Sequence, residues 1–184
     1  MNIAVFCGST LPVDSRITNA AETLGRRLAE EGHSLIYGAS NLGLMGVVSG
    51  AALAAGGCVV GVIPTFFSEE IMTSQPVSQL VRVASMAQRK EYIIQNSDAF
   101  IALPGGIGTL DEVMEVLVHN QLGPLRDANH RDKPIGLLNP DGFWEPFMKQ
   151  VEQMGRYGFY RSGKAPNFFA DNDVDSLLAR LSNG

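Results

Sequence analysis

Hydrophobic residues follow two different patterns along this chain. Short uninterrupted apolar runs predict buried strands, and longer stretches with apolar residues at helical spacing predict amphipathic helices. Strands are predicted over 3–7, 34–37, 58–63, 80–83, 99–103, 135–138 and 167–170. Helices are predicted over 15–30, 47–55, 85–96, 109–121, 142–154 and 173–181. The segments 66–76 and 123–133 have no clear periodicity and are predicted to be irregular.

The regular alternation of these elements predicts the fold class. Continuous apolar strands that alternate with helices are typical of an α/β protein whose parallel sheet is covered on both faces. The length of 184 residues favours a single domain over residues 1–184. In such sheets, ligands bind beyond the carboxyl ends of the strands. Glycine loops at Gly8, at 38–46 and at 105–108 each follow a predicted strand, so all three are expected on that side.

The segment 103–112 carries the clearest chemistry. Pro104 ends the fifth predicted strand because it has no N–H to donate to the sheet. The glycines Gly105, Gly106 and Gly108 leave backbone N–H groups uncovered, and the helix that follows begins with unpaired N–H groups and a partial positive charge. The segment therefore predicts an anion site, with phosphate as the expected ligand.

Two common phosphate-binding motifs do not fit the chain. The dinucleotide fingerprint requires a third small residue where Asp111 stands, which weakens an NAD-binding interpretation. Gly38 and Gly43 have the spacing of a P-loop, but the Lys-Ser/Thr pair that should follow is replaced by Leu44-Met45. The sequence thus argues against an NTPase.

Charge and composition narrow the class of partner. The net charge is −5 and the isoelectric point is near 5.1, which argues against a nucleic-acid-binding surface. No apolar run approaches the roughly 18 residues of a membrane span, and no leader peptide is recognisable. Cys7 and Cys58 are expected to be buried free thiols in a reducing compartment, so we expect a cytoplasmic protein with no membrane partner.

Two charged residues are candidates for a functional role, and each has a structural alternative. Arg89 falls on an inward edge of its predicted helix, where it could form a structural ion pair or contact a ligand. Glu112 follows Thr109 at capping-box spacing, so it could cap its own helix or act on the bound ligand.

The chain resembles the LOG family in several stretches. They are Cys7-Gly8-Ser9, Gly43-Leu44-Met45-Gly46, Met86-x-x-Arg89-Lys90, Pro104-Gly105-Gly106-x-Gly108-Thr109-x-x-Glu112 and Lys133-Pro134-Ile135. The resemblance implies a Rossmann-like three-layer αβα fold with a mostly parallel sheet. It also implies a homodimer or larger homo-oligomer, and neither a metal nor an organic cofactor.

LOG enzymes hydrolyse the N-glycosidic bond of nucleoside 5′-monophosphates, such as AMP or cytokinin riboside 5′-monophosphate, to the free base and ribose 5-phosphate. By resemblance, Arg89 and Glu112 are the catalytic residues. The residues that the resemblance assigns to substrate binding are Gly8, Ser9, Gly43, Met45, Met86, Lys90, Gly105, Gly106, Ile107, Gly108 and Thr109.

The chain departs from the family pattern at Ala39, Ser40, Gln79 and Ile107, which leaves the base preference open. Two other functions compete with the hydrolase. A nucleotide-binding module of the same fold would lack turnover. A lysine decarboxylase, an older name for this family, would need pyridoxal phosphate on a lysine, and none of Lys90, Lys133, Lys149 and Lys164 lies in a motif that supports a Schiff base.

Overall fold

Seven parallel strands form one sheet with helices on both faces. The computed structural model describes residues 1–67, 77–160 and 165–183. The strands are β1 (Asn2–Phe6), β2 (Ser34–Tyr37), β3 (Val59–Pro64), β4 (Gln79–Val83), β5 (Ala99–Ala102), β6 (Ile135–Leu138) and β7 (Phe169–Asp171). The helices are α1 (Ser15–Glu30), α2 (Gly43–Ala54), α3 (Met86–Asn96), α4 (Ile107–Arg126), α5 (Glu145–Arg156) and α6 (Val174–Ser182). A 3₁₀ turn over Pro140–Gly142 precedes α5.

The strand order places a crevice at the middle of the sheet. The order is β4-β3-β2-β1-β5-β6-β7, and every pairing is parallel. The helix α1 that follows β1 packs on one face, whereas α4 that follows β5 packs on the other. The loops after β1 and β5 therefore diverge, and a ligand crevice is expected between them. The predicted Rossmann-like αβα fold is confirmed.

Side-chain alternation along the strands builds two cores. Ile3 and Val5 of β1 face α1, α2 and α6, while Ala4 and Phe6 face α3, α4 and the Trp144 side chain before α5. All four are buried, as expected for a central strand of a parallel sheet. None of the described helices is both long and apolar enough to cross a membrane.

Helix α2 begins four residues earlier than predicted. The sequence indicated a helix over 47–55 after a glycine loop, whereas α2 spans Gly43–Ala54. Its first residue has a positive φ of 57°, which glycine adopts without strain. The glycines of α2 have low helix propensity, but the close packing of α2 against α1 outweighs it. A Cβ at Gly25 of α1 would lie only 3.0 Å from the Ala51 side chain of α2.

Helix α4 is longer than predicted and ends at Arg126. The prediction that 123–133 is irregular is therefore wrong for residues 123–126. The helix was predicted to end at 121, whereas it continues through Gly123 and Pro124, two residues that usually terminate helices. Asn120 fixes the following chain instead: its amide accepts from the backbone N–H of Lys133 at 3.1 Å and donates to the Lys133 carbonyl at 2.8 Å.

The remaining bounds agree or differ by small shifts. Helix α1 and the strands β2 and β6 coincide with the prediction. Helix α5 begins at Glu145 rather than 142, and Pro146 lies in its first turn as predicted. Strand β7 is Phe169–Asp171 instead of 167–170. Beyond Phe67, the predicted irregular segment 66–76 lies outside the described residues.

Candidate functional site

A cavity of about 290 Å³ lies beyond the carboxyl ends of β1 and β5. It brings together eleven of the thirteen residues predicted for the site. Those residues are Gly8, Ser9, Met45, Met86, Arg89, Lys90, Gly106, Ile107, Gly108, Thr109 and Glu112, and Cys7 and Asp111 complete the lining. Residues of the three glycine loops thus meet at one cavity on the edge of the sheet where the sequence placed them.

Gly43 and Gly105 do not line the cavity, but they lie where the loops that form its walls come into close contact. A Cβ at Gly43 would lie 2.7 Å from the Ser9 carbonyl oxygen, and one at Gly105 would lie 2.9 Å from the Gly8 nitrogen. The backbone of Gly8 also donates to the Pro104 carbonyl at 3.2 Å and accepts from Leu44 at 3.0 Å. These two glycines therefore allow the three loops to approach each other closely.

The N-terminus of α4 opens into the cavity. Gly106 is the N-cap and has no side-chain capping bond, and the Leu110 N–H donates to the Gly106 carbonyl at 3.2 Å. The N–H groups of Ile107, Gly108 and Thr109 precede that bond and have no helical acceptor. Apart from the neighbouring backbone, no atom of the described residues lies within 4 Å of a Cβ at Gly106 or Gly108, so the space beside these N–H groups is open. This geometry suits an anion.

Glu112 does not cap its helix. Because the N-cap is Gly106, Thr109 is already inside the first turn and Glu112 stands six residues past the cap. The capping-box alternative is therefore wrong. Glu112 is partly buried in the cavity wall instead. Burial raises the pKa of its carboxyl group to about 7; the Arg89 guanidinium opposes this rise and the Asp111 carboxylate adds to it.

Arg89 is buried beside the cavity without a carboxylate partner. The residue is only 8% exposed, and its Nη1 donates a weak hydrogen bond to the Met86 sulfur at 3.7 Å. Within 1–67, 77–160 and 165–183, no carboxylate oxygen lies within 4.0 Å of the guanidinium, and Nε has no hydrogen-bond partner. The sequence left open whether Arg89 forms a structural ion pair, and no such pair is found among the described residues. Burial lowers the Arg89 pKa, while Glu112 and Cys7 oppose that shift.

Two local features hold Arg89 in place. The Ser85 hydroxyl caps α3 by accepting from the Gln88 N–H at 3.2 Å, and the Gln88 side chain accepts from the Ala84 N–H at 2.8 Å. At the other end of the side chain, a Cβ at Gly38 would lie 2.7 Å from Arg89 Cζ. The sequence placed Gly38 in a ligand-side loop but carried no indication of this contact, which joins residues 51 positions apart.

Lys90 lines the cavity, but its ammonium group is already paired. It contacts Asp111 at 2.9 Å and Glu115 at 2.6 Å, and both bonds raise its pKa. The three side chains join α3 to α4 and so hold the helix of Arg89 against the helix of Glu112. Neutral lysine, the form that attacks carbonyl groups, is disfavoured by this pairing.

Comparison with known proteins identifies the family. A family model described as "Possible lysine decarboxylase" matches residues 45–181. The cytokinin riboside 5′-monophosphate phosphoribohydrolase LOG of Oryza sativa subsp. japonica is 43% identical over 157 residues, which cover 85% of this chain and 62% of that protein. The corresponding LOG4 of Arabidopsis thaliana is 42% identical over 179 residues, covering 97% of this chain and 80% of that protein. This chain belongs to the LOG family.

Solved structures show the same LOG-type fold. A molybdenum cofactor binding protein from Rippkaea orientalis superimposes with a TM-score of 0.71 at 22% identity, over 99% of this chain and 96% of that one. The molybdenum cofactor carrier protein of Chlamydomonas reinhardtii gives a TM-score of 0.70 at 23% identity, over 98% and 95%. At these identities the likeness concerns the fold alone. The chain spans less than two thirds of the rice LOG protein.

The two cysteines of this LOG chain differ, although both were predicted to be buried. Cys7 follows β1 and lies buried in the cavity wall, and its burial raises the pKa of the thiol. Cys58 is exposed because it precedes β3 instead of belonging to it. Both thiols are free.

Proposed function

We propose that this protein hydrolyses the N-glycosidic bond of a nucleoside 5′-monophosphate and releases the free base and ribose 5-phosphate. The observation that carries the proposal is the placement of Arg89 and Glu112 on one cavity, unpaired with each other, beside the open N-terminus of α4. Relatives named cytokinin riboside 5′-monophosphate phosphoribohydrolases support it.

The phosphate would bind the backbone N–H groups of Ile107, Gly108 and Thr109, where no side chain fills the space beside the two glycines. Residues 105–109 then act as the phosphate loop. Fixing the phosphate positions the ribose over the cavity wall that Glu112 lines. Gly8, Ser9, Met45 and Met86 would surround the sugar.

The reacting bond would lie between Glu112 and Arg89. As the C1′–N bond breaks, its electron pair moves to the base and positive charge builds on the ribose, as in other glycoside cleavages. The Glu112 carboxylate stabilises that charge and takes a proton from the water that attacks C1′. The guanidinium of Arg89 donates to the departing base or to the ribose phosphate. The proton that Glu112 takes from the water passes to the departing base, so the products are the neutral free base and ribose 5-phosphate, and Glu112 returns to its carboxylate form.

Lysine decarboxylation fits the residues poorly. A Schiff base with pyridoxal phosphate needs a lysine whose amine is readily neutral. Lys90 is the lysine that lines the cavity, and its two carboxylate partners raise its pKa. Burial lowers the pKa of Lys133, but this lysine is not in the cavity lining, and its ammonium donates to the Ile94 carbonyl at 2.6 Å.

One assay separates the hydrolase from its alternatives. The protein is incubated with AMP and, separately, with lysine, and products are resolved by chromatography. The hydrolase releases adenine and ribose 5-phosphate from AMP, and Glu112→Gln protein serves as the control. Binding of AMP without adenine release would indicate a nucleotide-binding module, and cadaverine formed from lysine would indicate a decarboxylase.

We also propose that the protein is a homodimer or larger homo-oligomer, with α4 at the interface. Ile107, Met114 and Val118 of this helix expose 86%, 36% and 45% of their surface, although each is apolar. Such a stripe next to the site is typical of a covered surface. Light scattering that reports a fully active 19.8 kDa monomer would contradict this proposal.

A further inference from the structure

An ion-pair cluster joins α3 to α4 directly beside the two candidate catalytic residues. Lys90 of α3 donates to the Asp111 carboxylate at 2.9 Å and contacts the Glu115 carboxylate at 2.6 Å. Lys90 directly follows Arg89 in the chain, and Asp111 directly precedes Glu112. The cluster therefore connects the two helices one residue away from each group that the proposed reaction uses. We refer to Lys90, Asp111 and Glu115 as the bridging cluster.

The bridging cluster carries more negative than positive charge. Asp111 and Glu115 are four residues apart on α4, so their carboxylates lie on one face of the helix and repel each other. Among the described residues, the buried Oε2 of Glu115 has no hydrogen-bond partner, and Lys90 is the cation that it contacts. Removing the ammonium group would leave two carboxylates uncompensated, whereas removing one carboxylate would leave the cluster neutral.

Glu112 lies within the influence of this charge balance. It lines the same cavity as two members of the bridging cluster. Burial is the main cause of the raised pKa of its carboxyl group, and the Arg89 guanidinium opposes that rise. The other charges that act on this carboxyl group belong to the bridging cluster, whose carboxylates raise its pKa and whose ammonium group lowers it. Cys7, at the end of β1, also faces Glu112, but burial raises the pKa of its thiol and so keeps it neutral.

The ammonium group of Lys90 is poorly placed to serve as a substrate ligand. Its charge is already matched by carboxylates at 2.9 Å and 2.6 Å. The open N-terminus of α4 offers backbone N–H groups to a phosphate without help from a lysine. Arg89, by contrast, has no carboxylate oxygen within 4.0 Å among the residues that the structure describes, and it remains available to a ligand. Lys90 is therefore better suited to act through Glu112 than on the substrate.

We propose that Lys90 is a positioning residue: the bridging cluster fixes the spacing of α3 and α4 that keeps Arg89 and Glu112 at one cavity, and its charge balance sets the pH at which Glu112 ionises. This inference rests on the proposed function. A purely structural link would behave differently. Lys90→Met and Asp111→Asn break the same 2.9 Å contact, so a link that only joined the helices would respond to both in the same direction. Since the two changes remove charges of opposite sign, the proposal requires opposite directions.

The direct measurement is the titration of the Glu112 carboxyl group in the free protein. It is followed by carbon NMR of protein with labelled glutamate carboxyl groups, and the Glu112 signal is assigned by its absence from Glu112→Gln protein. Lys90→Met should raise the midpoint by about 0.5 pH units or more, and Asp111→Asn should lower it by a similar amount. Lys90→Arg keeps the charge and should keep the midpoint near that of wild type. The rising limb of kcat/KM for AMP should move in the same two directions.

The chain offers a matched control for each charge that is removed. Lys149 of α5 and Asp175 of α6 each belong to an exposed ion pair, and neither lines the cavity. Lys149→Met and Asp175→Asn should therefore leave the Glu112 midpoint unchanged. A second control concerns the phosphate. The Kd of ribose 5-phosphate, measured by calorimetry at pH 8, should rise by less than about tenfold in Lys90→Met, because the ammonium group is not a phosphate ligand.

Three results would overturn the role of the bridging cluster. These are midpoints that move in the same direction in Lys90→Met and Asp111→Asn, midpoints that move in neither, and a loss of ribose 5-phosphate affinity of about tenfold or more in Lys90→Met. Failure of the proposed function looks different. Opposite midpoint shifts in protein that never releases adenine from AMP would sustain the cluster and reject the hydrolase. Adenine release with one pH profile in wild type and both variants would do the reverse.

Discussion

The guanidinium of Arg89 occupies the space that a side chain at Gly38 would need. A Cβ at position 38 would lie 2.7 Å from Arg89 Cζ and 3.2 Å from the Met45 sulfur. Gly38 directly follows β2, and Arg89 is in the first turn of α3, so the contact connects two separate units of the chain. The end of β2 thereby fixes where the buried cation of the candidate site can stand.

Gly38→Ala should therefore displace Arg89 and abolish most activity. We expect adenine release from AMP to fall by about 10²-fold, as for a displaced catalytic group. The control is Gly50→Ala in α2, where no described atom outside the neighbouring helix backbone lies within 4 Å of the added Cβ. Steady-state assays of both variants, with thermal melts, make the comparison. Full turnover in folded Gly38→Ala protein would show that the position of Arg89 is not needed.

Glu112→Gln should lower turnover of AMP by roughly 10²-fold or more, because the change removes the negative charge that faces the developing oxocarbenium ion. The carboxamide keeps the shape of the side chain, and no capping bond is lost. Glu22→Gln makes the same change at an exposed position of α1 that does not line the cavity, so it is the control and should retain full activity. A Glu112→Gln enzyme with more than about a third of wild-type turnover would contradict the assignment.

The pH dependence of kcat/KM should reveal the same carboxyl group. Its pKa is raised to about 7, so the catalytic carboxylate forms as the pH rises through that value. Activity should increase from pH 5.5 to about 8, and this rise should disappear in Glu112→Gln. The substrate phosphate also titrates near pH 6, so ribose 5-phosphate affinity is measured across the same range to subtract that effect. An activity that falls with pH would assign Glu112 the opposite role.

As the pH rises, the free energy of unfolding should fall while the activity increases. A carboxyl group whose pKa is higher in the folded state than in the unfolded state stabilises the fold when protonated, and that stabilisation is lost as the pH rises through about 7. Glu112→Gln avoids this loss, so at pH 8 its free energy of unfolding should exceed that of wild type by on the order of 1 kcal/mol. Below about pH 4.5 the two proteins should unfold alike. Denaturant titrations at pH 8 and pH 4 test this, and a variant less stable than wild type at pH 8 would refute it.

Arg89→Ala should lose activity on a similar scale, and the double variant with Glu112→Gln should be little worse than either single change, because residues that act as a unit are not additive. Arg89→Lys should not restore turnover, since an ammonium group cannot reproduce the planar, forked donor set. Independent, multiplicative losses in the double variant would show that the two residues act separately.

The 5′-phosphate should be required for efficient turnover. Hydrogen bonds to a charged group each contribute about 1.5–3 kcal/mol, and the first turn of α4 offers several N–H groups. Adenosine should therefore be hydrolysed at least about 10²-fold less efficiently than AMP, as judged by kcat/KM. Equal kcat/KM values for adenosine and AMP would show that the phosphate does not bind at the start of α4.

The sequence predicted the site better than the contacts within it. Alternating elements and strand-end loops placed the glycine loops at one edge of the sheet, and eleven predicted residues share one cavity there. The capping box failed because Gly106, not Thr109, is the N-cap of α4, and spacing alone does not locate an N-cap. The ion pairs of Lys90 and the space that Gly38 leaves for Arg89 depend on side chains brought together only by tertiary packing.

The central position of β1 has a consequence for synthesis of the chain. One edge of β1 pairs with β2, which ends at Tyr37, but the other edge must wait for β5, which begins at Ala99. At roughly 5–20 residues per second, the nascent chain spends several seconds with that hydrogen-bonding edge unpaired. During the same interval Gly8 has no Pro104 carbonyl to bind, and Gly38 has no guanidinium above it. The pairing of β1 with β5 and the completion of the cavity therefore occur together, late in the synthesis of the chain.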